Sequence, residues 1–202
     1  MRRLLGPAFP PFGHAYRRLF VDIGRVAKLI ARETPQGAHV LDIGGGDGCV
    51  ADRLAALRPD LQITLADIAP QIGAFIRPAQ RARIALRPAT TVTDLQGRFD
   101  VIAVSDVIHH VPTEHRADFL ADVTALAGRT GCRKVLVKDI EPGGLRARLA
   151  LWGDLYITGD RQVRQVSAAD LHLPGFEKRA TVMVDHPNYC LVFEAEPLAL
   201  AA

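Results

Sequence analysis

Apolar residues return at helical spacing over residues 14–33, HAYRRLFVDIGRVAKLIARE, where Leu19, Val21, Ile23, Val26, Leu29 and Ile30 fall on one stripe. TPQG then turns the chain into HVLDIG, an apolar run of strand length. A second helical pattern covers 48–57 and is stopped by Arg58-Pro59-Asp60. QITLADI, rich in β-branched and apolar residues, predicts a second strand. Residues 70–87 carry a weak helical pattern interrupted at Pro78, and a minor strand is expected at 89–92. RFDVIAVSDVIHHV holds a core strand, and TEHRADFLADVTALAG follows as a helix with Thr113 as its N-cap. RKVLVKDIEP is a further strand, and LRARLALWGDLYITG a helix running into a loop. Two β-rich runs, RATVMVDH and YCLVFEAE, flank Pro187-Asn188 as a closing hairpin.

Strands that alternate with helices imply an α/β architecture: a mostly parallel sheet covered on both faces, here closed by an antiparallel strand. No repeat, linker or low-complexity segment divides the 202 residues, so the expectation is one domain over 1–202. Composition keeps that picture, with 49% hydrophobic and 23% charged residues, the balance of an ordinary globular chain. The net charge of +3 sets up no global field toward nucleic acid. Arginine supplies 21 of the 25 basic residues, five of them within the first 25 positions, either as a solvated helix face or as a collar for an anionic substrate. Three widely spaced cysteines (Cys49, Cys132, Cys190) make neither a disulfide framework nor a zinc motif and fit a reducing compartment. No apolar run is long enough to span a membrane and the prolines of MRRLLGPAFPPFG break any signal-like stretch, so the expected location is cytoplasmic.

The first strand runs into four glycines within five positions, Gly44, Gly45, Gly46 and Gly48. In an open α/β sheet this is where ligands bind, and glycines there admit a ligand against the backbone beside a helix N-terminus. Asp67 ends the second strand, where an acid can accept hydrogen bonds from two ribose hydroxyls. A dinucleotide fingerprint is met only in part: starting at Gly44 its last position is Cys49, and starting at Gly46 it is Ala51. Asp42 beside the loop would repel a pyrophosphate and attract an ammonium. The ligand expected is therefore an adenosine carrying a cationic amino-acid end.

The run Asp42-Ile43-Gly44-Gly45-Gly46-Asp47-Gly48 resembles the first motif of class I S-adenosylmethionine-dependent methyltransferases, an acid followed by G-x-G-x-G. The resemblance continues in order through Asp67, Phe99-Asp100-Val101-Ile102, the segment Ser105 to Val111, Lys134 to Pro142 and the closing hairpin, about residues 15 to 195. It implies a Rossmann-like fold with a seven-stranded, mostly parallel sheet and an antiparallel C-terminal strand. It further implies S-adenosylmethionine as cofactor, with Asp42 ordering its ammonium, Gly44, Gly45, Gly46 and Gly48 supporting its methionine part, and Asp67 holding the ribose. Ile68 is then expected against the adenine, Ser105 at the methionine end, and Asp94 and Leu95 at the adenine edge, where TVTDLQGRFD matches the family loosely. Residues 1–35 become an N-terminal cap on the substrate and 36–202 the cofactor-binding core. The methyl acceptor implied is a small molecule.

Methyl transfer from a sulfonium is an in-line displacement, so the protein aligns the nucleophile and takes its proton where needed. His109 and His110 follow the fourth strand at the carboxyl edge and are the candidate bases, with His110 slightly favoured and Asp139 placed to orient a histidine or a substrate. His14, Tyr16, Trp152, Asp154 and Tyr156 are candidate substrate walls. Neighbouring histidines lack metal-ligand spacing and no partner carboxylate can be assigned, so no metal is expected. The segment Ser105-Asp106-Val107-Ile108 lacks the paired prolines and aromatic of nucleic-acid N-methylating enzymes, which disfavours nucleic acid as partner. Two rival readings stand beside this one: a cofactor-binding protein without methyl transfer, and a nicotinamide oxidoreductase.

Overall fold

A computed structural model describes residues 22–155 and 162–196. His14, Tyr16 and Tyr156, and the first part of the 14–33 helix, lie outside the described residues. The elements run α1 (Ile23–Glu33), β1 (His39–Ile43), α2 (Cys49–Leu57), β2 (Gln62–Ala66), a four-residue α3 (Pro78–Arg81), β3 (Ile84–Arg87), β4 (Val101–Ser105), α4 (Arg116–Thr130), β5 (Lys134–Ile140), α5 (Gly144–Gly153), β6 (Phe176–Asp185) and β7 (Asn188–Ala195).

One seven-stranded sheet takes the order β3-β2-β1-β4-β5-β7-β6. β1 pairs in parallel with β2 and β4, β2 with β3, and β4 with β5, whereas β7 runs antiparallel to both β5 and β6. Apolar runs without alternation are what a strand buried on both faces requires, and β1, β4 and β5 are buried along nearly their whole length. Two clusters of buried side chains fill the faces. Val26, Leu29 and Ile30 of α1 and Leu54 of α2 pack with Val40 and Ile63 on one side, while Val123 and Leu126 of α4 pack with Ile102 and Tyr189 on the other. The stretch 23–33 assigned to a substrate cap thus serves the sheet. β6 at the edge alternates between exposed and half-buried residues, the pattern of a strand with one wet face.

Local chemistry sets the element ends. Asp22 caps α1 by accepting from the Arg25 N–H at 3.0 Å. Arg58 donates to the carbonyls of Ala31, Thr34 and Pro35, tying the end of α1 to the end of α2. Two expectations need correction. The third strand is β3 at 84–87, inside the stretch read as helical, because Ile84 and Leu86 pair beside Ile63 and Leu65, and 89–92 form no strand. Thr113 does not cap a helix: it begins a single 3₁₀ turn, and α4 starts at Arg116.

The order of strands reverses between β1 and β4, which places the switch point at the carboxyl ends of these two strands. The loop beneath that edge is held by Tyr189 of β7, fully buried, whose hydroxyl donates to the Val166 carbonyl at 2.9 Å. Tyr189→Phe keeps the packing but strands that carbonyl without a donor, so a loss of about 1–3 kcal/mol in urea unfolding is expected.

Candidate functional site

Four parallel strands deliver an aspartate to the same edge of the sheet: Asp42 within β1, Asp67 just after β2, Asp106 just after β4 and Asp139 within β5. Burial and mutual repulsion both oppose ionising such a set, so each needs an answer.

Asp42 has none among the described residues. It is 3% exposed, and both carboxylate oxygens are buried without a hydrogen-bond partner. Burial first, then the charges of Asp47 and Asp67, push its carboxyl up to about 7. A Cβ on Gly45 would stand 2.6 Å from Asp42 Oδ2, so that glycine is required by the carboxylate under it. Gly44 and Gly48 are likewise filled by the chain itself: a Cβ there would lie 2.3 Å from Val107 Cγ2 and 2.6 Å from Ile76 Cγ1. The close approach expected of a ligand is made at these three positions by the fold. Gly46 differs, since its missing Cβ meets nothing nearer than Asp67 Oδ2 at 3.8 Å, and its backbone N–H donates to that oxygen at 2.9 Å.

Asp67 Oδ1 takes a second backbone donor, the Ala69 N–H at 2.8 Å. Each oxygen of a carboxylate accepts more than one bond, so acceptor capacity remains on both. Ile68 beside it is 77% exposed, an apolar side chain standing on the lip of the site. The turn after β3 closes this corner, with the Thr90 N–H donating to the Asp67 carbonyl and the Ala89 N–H to that of Ala69, both at 3.0 Å. Residues 89 and 90 were not singled out by sequence reasoning. Asp94 and Leu95, which were, have local work instead: Asp94 accepts from the backbone and hydroxyl of Thr91, and Leu95 is buried against Phe99 and Ile102. Ser105 ends β4, half-buried, where the glycine loop and the β4 loop meet.

Beyond Ser105 lies the other half of the site. Asp106 adopts φ 58° and pairs with the Lys138 ammonium, itself 1% exposed. Next, a 3₁₀ turn (Ile108–His110) carries both histidines. His109 is 2% exposed and its Nδ1 lies 2.6 Å from Asp139 Oδ1, while its backbone N–H donates to Asp139 Oδ2 at 3.2 Å. Its Nε2 lies 3.7 Å from Asp154 Oδ2, just past the end of α5. Burial alone would push the imidazole down; the charge and hydrogen bond of Asp139, with Asp106 and Asp154 beyond, outweigh it and hold His109 at about 9. Asp139 is fully buried, yet His109, the Ile140 N–H and Lys138 keep it below the usual carboxylate range. Asp154 is raised, burial outweighing the attraction of His109 and His110. His110 is half-buried with its ring 4.1 Å from that of His109.

The structure therefore brings together His109, His110 and Asp139 as expected and adds Asp106, Lys138 and Asp154. Only Asp154 had been named, and then as a wall. The expectation of no metal-ligand cluster is corrected as well: His109, His110 and Asp154 offer ligand atoms that all lie within 4.8 Å of one another. Cys132 and Cys190 are buried, which pushes their thiols up to about 11 and about 12 and removes them as nucleophiles.

Comparison with known proteins agrees with the fold. A methyltransferase-domain family model matches residues 41–132, from β1 through the end of α4. Residues 41–132 are therefore similar to a methyltransferase domain. It is 32% identical over 130 residues to ribosomal RNA small subunit methyltransferase G of Ralstonia nicotianae, covering 63% of this chain and 56% of that protein. It thus spans little more than half the length of that relative. Among solved structures, TnmH superposes with a TM-score of 0.70 at 25% identity, covering 96% of this chain and 59% of that one. Magnesium protoporphyrin IX methyltransferase of Synechocystis, solved with SAH, superposes at 0.61 and 19% identity, covering 97% of this chain and 100% of that one; it shares the fold.

This edge of the sheet carries a pH signature. In an unfolded chain His109 titrates near 6.5, against about 9 when folded, so its stabilising contribution is complete below pH 6.5 and lost as pH rises through about 9. Asp42, shifted up from 3.8 to about 7, also costs stability with rising pH, but that decline is over near pH 7. Urea midpoints of chelator-treated protein should therefore keep falling from neutral pH to about pH 9 in the wild type, and Asp139→Asn should flatten that alkaline part. A wild-type midpoint constant over this range would contradict the assignment.

Proposed function

We propose that this protein binds S-adenosylmethionine along the β1–β2–β4 edge and transfers its methyl group to a small-molecule acceptor held beyond β4 and β5. The observation that carries the reading is the Asp42 carboxylate, buried without a partner under Gly45 and beside the open face of Gly46. A buried carboxylate left without a donor is costly, and a ligand with a cationic end nearby relieves it. When bound, the cofactor supplies an electrophilic methyl on a sulfonium. In this reading the remaining lone pairs of Asp67 receive the ribose hydroxyls, exposed Ile68 covers the adenine, and Ser105 borders the methionine end. Solved relatives held with the cofactor or its product support the assignment, among them NcsB1 of neocarzinostatin biosynthesis, in complex with S-adenosylmethionine and a hydroxynaphthoic acid.

The acceptor end is formed by His109, His110 and Asp154, the polar side chains able to orient a nucleophile and handle its proton, with Asp139 as a positioning residue behind His109. Asp94 and Leu95 are kept only as outer neighbours of the adenine corner. No helix among the described residues is long and apolar enough to cross a membrane, and Cys49, Cys132 and Cys190 form no disulfide, which fits a cytoplasmic setting.

A second reading, an RNA acceptor, is favoured by the relative that methylates ribosomal RNA. Against it, several arginines that could face phosphates are spent inside the fold. Arg58, Arg81, Arg83 and Arg129 all donate to backbone carbonyls.

Calorimetric titration with S-adenosylmethionine, with nicotinamide dinucleotides beside it, tests the cofactor. Saturable binding of the former alone is expected, and Asp67→Ala should weaken it about 100-fold or more, the worth of two lost hydrogen bonds to a charged group. Unchanged affinity would overturn the ribose assignment, and dinucleotide binding the whole reading. Transfer of labelled methyl into hydroxylated aromatic compounds but not into small-subunit ribosomal RNA then separates the two acceptors.

A further inference from the structure

His109 is the centre of a constellation that general proton handling does not account for. Its two ring nitrogens face two different carboxylates: Nδ1 meets Asp139 at 2.6 Å, and Nε2 meets Asp154 at 3.7 Å. The Nε2 separation is too long for a hydrogen bond. It suits two atoms that ligate one ion, since ligand bonds of about 2.0–2.2 Å set at tetrahedral angles hold their ends a little over 3 Å apart. The neighbouring His110 brings a third donor, and all three ligand atoms lie within 4.8 Å of one another.

We propose that His109, His110 and Asp154 bind a divalent transition-metal ion, with Asp139 orienting His109 toward it. A histidine ligand commonly donates its other ring N–H to a carboxylate, which fixes tautomer and ring plane. Asp139 fulfils that role completely: it is fully buried, accepts from Nδ1, and also accepts from the His109 backbone N–H, so ring and backbone are set by one carboxyl group. Two imidazoles and one carboxylate suit zinc-like ions and not magnesium or calcium, which take oxygen ligands. Three protein ligands leave a position open, the arrangement of a reactive and not a structural ion. His110 and Asp154 are half-buried while His109 is buried, so the open position faces outward to the acceptor.

A second grouping, Asp106, His109 and Asp139, also lies within reach of one ion. It is the weaker candidate. Asp106 already holds the buried Lys138 ammonium, which would repel a cation, and Asp139 occupies the wrong ring nitrogen.

The proposal rests on the reading of this edge as the acceptor end and names its acceptor class: a molecule with a hydroxyl able to complete the coordination. The ion would polarise that O–H bond, the proton leaving to solvent and the oxygen staying bound as an alkoxide or phenolate.

The full-length protein, stripped with a chelator, is titrated with Co²⁺ and separately dialysed against Zn²⁺. One equivalent is expected, with the visible d–d bands of a low-coordinate cobalt site. His110→Ala and Asp154→Asn, at half-buried positions, should abolish the bands, Asp139→Asn should weaken uptake about 10–100-fold, and Cys49→Ser should leave it unchanged. No uptake, uptake unaffected by His110→Ala and Asp154→Asn, or uptake lost in Cys49→Ser would each overturn the site. S-adenosylmethionine binding measured on the same stripped samples keeps the two readings apart: saturable binding there with no metal uptake defeats the metal site and leaves the cofactor assignment intact.

Discussion

Everything at the working edge follows from one electrostatic constraint: parallel strands that end side by side have brought four aspartates to one rim, two of them, Asp42 and Asp139, deeply buried. A parallel sheet leaves little choice, because its loops and ligands gather at the carboxyl ends of the strands. Burial pushes the Asp42 carboxyl toward protonation, whereas His109 and Lys138 keep the equally buried Asp139 charged. The structure opposes this with a different device at each strand. Asp106 has the Lys138 ammonium and Asp139 the His109 imidazole, two direct ion pairs. Asp67 has only backbone N–H groups. Asp42 has no donor among the described residues. The compensation thus weakens from β5 toward β1, and the end with the unmet carboxylate is the end assigned to a cationic cofactor.

The glycine loop is governed by the same crowding. Glycines at 44, 45 and 48 are there because Val107, Asp42 and Ile76 already occupy the space a side chain would need. Their first effect is therefore on packing: they let the β4 loop and the 72–76 segment close over β1. The Gly73 N–H donates to the Gly46 carbonyl and the Phe75 N–H to that of Asp47, each at 2.9 Å, so this closure is hydrogen-bonded. Gly46 remains as the open face. A motif read from sequence as a ligand cradle is in large part a joint between three loops, and the cradle is what the joint leaves over.

What the sequence made legible divides along the same line. The succession of strands and helices, the antiparallel closing strand and the positions of Asp42 and Asp67 at strand ends were readable because apolar runs, glycines and strand-end acids are local signals. β3 was not, because Ile84-Ala85-Leu86-Arg87 has the length and the alanine of a helical turn, and only pairing with β2 decides the matter. Lys138 and Asp139 stand inside an apolar run, which should have marked them as a pair of buried charges with partners elsewhere. Their partners, Asp106 and His109, are about 30 positions away, and no spacing rule reaches that far. Asp154 was visible as a residue and invisible as a neighbour of His109, 45 positions earlier. A wall assignment was all that local reading could support.

The two halves of the site consequently differ in how they can change. The cofactor half is built from backbone: glycine positions, N–H groups and strand-end acids whose geometry the sheet dictates, so most substitutions there disturb the joint between loops. The acceptor half is built from side chains on separate supports, a 3₁₀ turn after β4, β5 itself and the end of α5. Only Asp139 among these is fixed by the sheet. Asp154 stands at the end of α5, a support separate from the strands that carry Asp42 and Asp67, so moving it alters first what His109 and His110 can hold. This arrangement lets one cofactor frame serve different acceptors, and it places the determinants of specificity on the edge where local sequence says least.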